Sequence, residues 1–396
     1  MDYLLNEEQL MVRDLARKIA QEKIKPVRAR YDETEEFPWE IVKVLAKSDI
    51  YALFIPEEYG GLGYGTLELS IVVEELSRVC GGIALCLAAS ALGTFPLLLF
   101  GSENQKKKYL PSLARGEKIT GFALTESAAG SDAAAIQTTA VKDKDSYILN
   151  GTKQWITNGG EAQIYTVIAL TDKKKGARGA SAFIVEKDTP GFTFGKKENK
   201  LGIRGSTTRE LVFNDCRIPR ENILGKEGMG FIVAMKTFDV SRPGVAAQAL
   251  GIAQGALDAA VDYARSRYQF EKPISSFQAI GHMLADMAIQ IEAARSLIYA
   301  TCRMIDSGKK NCGKEAAACK VFASDTAMKV TVDALQVFGG YGYMKDYPIE
   351  KMMRDAKITQ IYEGTNQIQR NIIAQNLIRE AARKCRVKSL KLRVKT

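Results

Sequence analysis

The apolar residues of this chain change period twice, and that change limits the fold more than any single motif. Over 7–25, 38–50, 66–92 and 104–115 they recur at helical spacing, with Pro and Gly punctuation in FPW, IPEEYGG and GTFP between. From about residue 121 to 230 short β-branched and aromatic runs take over: SYILNGTKQWIT, IYTVIAL, ASAFIVE, FTFGKK and RELVFND. Asn150-Gly151 in the first run predicts a type I′ hairpin turn. After Gly230 helical spacing returns over 231–266, 276–307, 314–338 and 366–383. The expected order is all-α, compact β, all-α. With 396 residues and no low-complexity linker, the three regions should pack into one body with a large core.

A net charge of +10 raises the question of a polyanion partner, but seven of those charges sit in residues 383–396, RKCRVKSLKLRVKT, which contain no acid. The basicity is therefore a tail, read as a solvated or loosely docked extension. The N-terminus carries acids early and lacks a continuous apolar run, so no secretory or transit segment is expected. No other stretch reads as long and apolar enough to span a bilayer. Seven scattered cysteines without a CxxC pair fit a reducing cytoplasm. The single histidine, His282, lies in an amphipathic helical pattern and reads as a packed or hydrogen-bonded helix residue. It leaves no basis for a His-rich metal site or for Ser-His-Asp chemistry elsewhere, and no metal is expected. GxxxxGK[ST] is absent, and YGGLGYG (59–65) lacks the GxGxxG spacing, so it reads as a loop between helices.

Five stretches carry groups suited to chemistry. GFALTESAAGSD (121–132), where helices give way to strands, offers hydroxyls at Thr125 and Ser131 and a small-residue loop. KQWITNGG (153–160) places Trp155 and Thr157 on one face of a strand, either beside a planar ligand or, for the tryptophan, in a sandwich core. In RSRYQFEKPISSFQ (265–278), Arg267 could grip a pyrophosphate and Phe270 offer a ring face; a surface ion pair is the other reading of Arg267. QVFGGYGY (336–343) has paired glycines that permit close backbone approach. Finally, QIYEGTNQIQR (360–370) interrupts a helical pattern with Glu363-Gly364-Thr365.

Together with IPEEYGGLG, GSENQKKKYLPSLARGE and the remaining glycine and arginine motifs, these stretches resemble the acyl-CoA dehydrogenase family, in its short- and medium-chain, butyryl-CoA dehydrogenase-like branch. The resemblance runs from about residue 3 to residue 379. It implies an α+β multidomain fold: an N-terminal all-α domain (1–120), a middle β-barrel or sandwich domain (121–230), a four-helix-bundle-like C-terminal α domain (231–382), then the basic tail (383–396). It implies FAD as cofactor, interconversion of a short-chain or compact acyl-CoA and its trans-2-enoyl-CoA, a place in fatty acid metabolism, and electron exchange with electron-transferring flavoprotein.

Residue by residue, the resemblance makes Glu363 the base that removes the α-proton while the β-hydride passes to flavin N5. A raised pKa from an apolar setting beside Ile361 and Tyr362 would suit that task. The Glu363 backbone N–H would polarise the thioester oxygen, with Gly364 freeing the backbone and Thr365 and Asn366 capping the next helix. Phe122, Leu124, Thr125, Trp155 and Thr157 would hold the isoalloxazine, with Thr365 and Gln367 near FAD. Ser131 would meet pantetheine, and Asp239 and Arg242 would lie near CoA and the carboxylate. Arg267, Phe270, Gln278, Gln336 and Gly340 would reach a neighbouring subunit's FAD, which implies a homotetramer, a dimer of dimers. Ser241 occupies the position where some branches place their base, and it cannot act as a carboxylate.

Two departures from the family pattern stand out: Ser127 replaces proline in the TESA loop, and Glu271 replaces glycine after Phe270. LCLAASALGTFPLLLF (85–100), which by resemblance lines the acyl pocket, has no charge to anchor an ω-carboxylate, and Ala88, Ala89 and Ala91 leave room for a compact or cyclic group. The physiological direction stays open, since an enoyl-CoA reductase acting on acryloyl- or aryl-acryloyl-CoA would use the same residues. A nucleic-acid-binding flavoprotein of the same fold is the rival from another class, disfavoured because Glu363 and Arg242 are both present. The tail could instead engage an anionic protein or membrane surface.

Overall fold

The computed structural model describes residues 5–393. In the N-terminal part, α1 (Glu7–Ile19) continues as a π turn over Ala20–Ile24 and is followed by α2 (Arg28–Thr34) and α3 (Trp39–Lys47). Asn6 opens α1 with a capping box: its side chain accepts from Gln9 N at 2.8 Å, and Gln9 returns a bond to Asn6 N at 3.1 Å. The periodic stretch 66–92 is divided into α4 (Thr66–Ser77) and α5 (Gly81–Phe100), after which α6 (Glu103–Ala114) leads to the strands. Contrary to the sequence-based expectation, α5 is long and apolar enough to cross a membrane by length and composition alone. It is mostly buried inside this protein, which is why its apolar residues run all round the helix.

The middle part forms an eight-stranded sheet among the described residues, β1 (Thr120–Ala123), β2 (Thr139–Asp143), β3 (Ser146–Thr157), β4 (Ile164–Leu170), β5 (Ala180–Glu186), β6 (Phe192–Lys197), β7 (Thr208–Pro219) and β8 (Ile223–Leu224). The spatial order is β6-β7-β3-β2-β4-β5-β8, with β1 parallel beside β4. β4 is buried along its whole length and β5 along nearly all of it, as their unbroken apolar runs require. The predicted hairpin turn at Asn150-Gly151 is not there. The β2–β3 turn falls at Lys144-Asp145, between the paired Asp143 and Ser146, with Lys144 at φ 52°. Asn150-Gly151 is instead a bulge inside β3 facing β7, where the Asn150 amide exchanges two hydrogen bonds with Asp215. A Cβ at Gly151 would lie 2.7 Å from Thr138 Cα, so glycine serves close approach there and not a turn.

The C-terminal part contains α7 (Gly230–Ser266), a short hairpin of β9 (Tyr268–Gln269) and β10 (Lys272–Pro273), α8 (Gln278–Asp306), α9 (Gly313–Phe338), α10 (Ile349–Thr359) and α11 (Asn366–Arg393). α7 is the spine, packing on α8, α9 and α10 and also on α4 and α5 of the N-terminal part. The α4–α7 crossing is tight: a Cβ on Gly255 would lie 2.0 Å from Arg78 O. One core therefore joins the two helical regions. The backbone of the basic run stays helical as far as Arg393, and residues 394–396 of the predicted tail lie outside the described residues.

Candidate active site

Where α10 ends at Thr359, six residues pass before α11 begins, and the break contains two consecutive left-handed residues, Glu363 at φ 50° and Gly364 at φ 91°. A helix would have committed the Glu363 amide to an i−4 carbonyl. Here neither the Glu363 nor the Gly364 amide donates to any acceptor among the described residues. The break borders a cavity of about 390 Å³, within the range of small-molecule sites. α4, α5 and α7 line it together with β3, β1 and the loop after β1.

The Glu363 side chain keeps some surface because it faces this cavity, yet enough protein surrounds it for burial to raise its pKa. Ser241, Arg242 and Lys320 pull in the opposite direction without cancelling that rise. Ser241 Oγ donates to Glu363 Oε2 at 2.5 Å. Arg242, only 4% exposed, donates from Nε to Glu363 O at 3.3 Å, and its guanidinium lies 5.4 Å over the Phe238 ring. Tyr362, the cavity neighbour of Glu363, donates its hydroxyl to Gln248, which also lines the space. The pieces suited to removing a proton next to a carbonyl are thus assembled: a carboxylate of raised basicity, a free amide beside it, and a largely apolar wall.

Phe122, Leu124, Thr125, Ser131, Trp155 and Thr157 line the same cavity as Arg242, Tyr362, Glu363 and Gly364. Trp155 is not in a sandwich core. It is 56% exposed, at φ 56°, on a second β3 bulge between Lys153 and Ile156. This bulge, and not a regular pleat, presents both Trp155 and Thr157 to the cavity. A tryptophan this exposed at a cavity wall offers a flat apolar surface that a planar ligand would cover. With the hydroxyls of Thr125 and Thr157 at the same wall, these residues fit a flavin ring system.

Other predicted residues lie elsewhere. Asp239 is not on the cavity wall; it pairs with Lys236 at 3.1 Å and more distantly with Arg242 at 4.0 Å. Thr365 does cap α11, accepting from Ile368 N at 3.3 Å, and Gln367 is exposed. Asn366 is no cap. Its side chain is spent on Lys320, Ser324 and Asp325. Arg267 and Gly340 line a separate cleft, where the Arg267 guanidinium lies 5.4 Å over the Tyr341 ring. Phe270, Gln278 and Gln336 are exposed, Phe270 by 86%. His282 is exposed on α8, not packed. Exposed Ser127 sits in a short turn closed by paired bonds between Glu126 and Ala129. Sequence reasoning missed the contacts of Ser241, Gln248, Lys320 and Gln369. None had a local signal except Ser241, through its place beside Arg242.

Family models for the N-terminal, middle and C-terminal domains of acyl-CoA dehydrogenase match residues 6–117, 121–216 and 228–378. A solved chain described under "Electron transferring flavoprotein of Acidaminococcus fermentans: Towards a mechanism of flavin-based electron bifurcation" is 50% identical, with TM-score 0.94, covering 96% of this chain and 100% of that one. Butyryl-CoA dehydrogenase from Megasphaera elsdenii is 48% identical with TM-score 0.93, at the same coverage. Acryloyl-CoA reductase (NADH) of Anaerotignum propionicum is 48% identical over 96% of both chains.

Proposed function

The chain belongs to the acyl-CoA dehydrogenase family of FAD-dependent oxidoreductases, and from that premise we propose that it interconverts a short-chain or compact acyl-CoA and its trans-2-enoyl-CoA. The observation that carries this reading is Glu363 itself, with its raised pKa and its unbonded amide at the cavity wall. Glu363 takes the α-proton. Its N–H, one of the amides left unbonded at the break among the described residues, would meet the developing enolate charge on the thioester oxygen. Ser241 and Arg242 hold the carboxylate and the backbone beneath it. Bound FAD supplies the hydride acceptor; Phe122, Leu124, Thr125, Trp155 and Thr157 would hold its ring. Ser131 and Asp239 remain proposed for the CoA side, and Thr365 and Gln367 for the cofactor side. Ala88, Ala89 and Leu92 on α5 line the cavity with small and apolar surface, which favours a compact, uncharged acyl group.

The reductive direction is the second reading, supported by the likeness to acryloyl-CoA reductase. The likeness to a chain solved in an electron-transferring flavoprotein study supports such a flavoprotein as electron partner. We further infer a cytoplasmic homotetramer. The cleft of Arg267 and Gly340 lies apart from the Glu363 cavity and beside exposed Phe270 and Tyr343, which supports cross-subunit cofactor contacts with Gln278 and Gln336. Mixing the holoenzyme anaerobically with a panel of acyl-CoAs should bleach the flavin with one compact thioester. Glu363→Gln should slow bleaching by about 10²-fold or more. Bleaching at the wild-type rate in Glu363→Gln refutes the base assignment.

A further inference from the structure

Lys320 lies in the middle of α9 and is fully buried. Its neighbours along the buried stripe of that helix are Ala316, Ala317, Cys319, Ala323 and Ser324, none of them a charged partner. A lysine is expensive in such a place and is seldom found there without a specific partner. Its partner here is the break between α10 and α11. Lys320 Nζ donates to Gly364 O at 2.8 Å and to Asn366 Oδ1 at 2.9 Å.

The two left-handed residues release carbonyls that a helix would have bonded, and a ring of donors takes them up. Glu363 O accepts from Arg242 Nε and, at 3.0 Å, from Gln369 Nε2; Gly364 O accepts from Lys320 and from Gln369, the latter also at 3.0 Å. These donors come from α7, α9 and α11, so three helices grip two peptide units. Lys320 and Gln369 do not line the cavity; they act from behind.

We propose that Lys320 is a positioning residue for Glu363: it fixes the left-handed turn through the Gly364 carbonyl and sets a cation behind the carboxylate that works at the cavity wall. The inference rests on Glu363 being the base. The charges facing this spot are Glu363 on the break, Arg242 with Asp239 on α7, and Asp325 on α9, itself paired with Arg370 of α11 at 2.6 Å. Tyr362 adds a buried hydroxyl whose pKa is pushed far up. Burial draws Lys320 down to about 7, opposed by Glu363 and reinforced by Arg242. A charged Lys320 lowers the Glu363 pKa, so removing it raises that pKa further.

Lys320→Met and Lys320→Gln, made in the full-length holoenzyme, test this. Lys320→Met should lower kcat about tenfold while KM changes less than about threefold, and should move the acidic limb of the pH–rate profile up by about half a unit. Hydrogen exchange of the 360–366 amides should quicken in Lys320→Met, independently of turnover. Lys320→Gln keeps a donor for Gly364 O, so it should recover most of kcat above the acidic limb yet retain the shifted limb. An unmoved acidic limb in both variants overturns the proposal, as does a kcat loss that follows only the fraction of protein holding FAD. If Lys320→Met does not fold, the profile of Lys320→Gln decides alone. Persistent bleaching in Glu363→Gln would instead sink the base assignment, whatever the lysine variants do.

Discussion

Lys153→Met is the substitution that should separate packing from charge in the cofactor wall. Lys153 is fully buried on β3, two residues before Trp155, and donates to Leu124 O at 2.9 Å and Glu126 Oε1 at 2.7 Å. Glu126 follows Thr125 directly and also accepts from Gln137 N at 2.6 Å and Thr138 N at 3.0 Å. The pair thus locks the Thr125 loop to the strand that carries Trp155 and Thr157. Methionine fills the volume of the lysine stem but leaves Glu126 with two amides and no counter-charge. Breaking a buried pair costs about 3–5 kcal/mol, and the surviving amides place the expected loss near about 3 kcal/mol at pH 7.

The pH dependence gives that number a signature. Burial alone would raise Glu126, but Lys153 and the two amides hold it below the usual carboxylate range. A lowered carboxyl stabilises the wild type above its unfolded pKa, and that contribution is lost as pH falls through the folded value. In Lys153→Met burial dominates, the folded pKa lies above the unfolded one, and the variant loses stability as pH rises. The difference between the proteins should therefore shrink between pH 7 and pH 4. Both measurements stay under the value of about 8 to which burial pulls Lys153. Urea unfolding of the holoenzyme at the two pH values measures this, and FAD affinity should weaken about tenfold for each 1.4 kcal/mol that reaches the loop. A loss below about 1 kcal/mol at pH 7, or a gap equal at both pH values, refutes the reasoning.

Two further outcomes follow from single contacts. Ser241→Ala removes a hydrogen bond that favours the ionised Glu363, so the acidic limb of the pH–rate profile should rise by about one unit. At position 271 the β9–β10 turn holds Phe270 at φ 53° and Glu271 at φ 62°, a conformation that suits glycine. Glu271→Gly should stabilise by about 0.5 kcal/mol, relief of left-handed strain exceeding the added chain entropy, and thermal unfolding reads it.

Much of this organisation is legible in the sequence because it rests on periodicity and on local turn chemistry. The switch of period near residue 121, the burial of IYTVIAL and the interruption at Glu363 all follow from such signals. Asn150-Gly151 misled because the same dipeptide serves a turn or a bulge, and only the partner strand β7 decides between them. Trp155 and Thr157 both border the cavity, but Trp155 sits on a bulge between Lys153 and Ile156 and not on the regular pleat that the alternation implies. Lys320 and Gln369 were invisible for a different reason. Their meaning lies in carbonyls 44 and 6 or fewer residues away, released by backbone dihedrals that no side-chain pattern encodes.

Those released carbonyls also give a reason for the proposed base to sit at a break and not on a helix. A helical Glu363 could present a carboxylate to the cavity, but its amide would be consumed within the helix, and a second residue would have to polarise the thioester oxygen. Left-handed dihedrals at 363 and 364 bring carboxylate and free N–H to one residue. Such dihedrals cost on the order of 1–3 kcal/mol for the non-glycine member and leave two carbonyls without helical partners. Arg242, Lys320 and Gln369 offset both costs by binding those carbonyls from three helices. The cationic donors cannot be replaced by neutral ones without a further effect, because the same charges restrain how far burial raises the Glu363 pKa. Backbone support and base strength are therefore carried by the same side chains, and a change at Arg242 or Lys320 that removes both the donor and the charge should move both together.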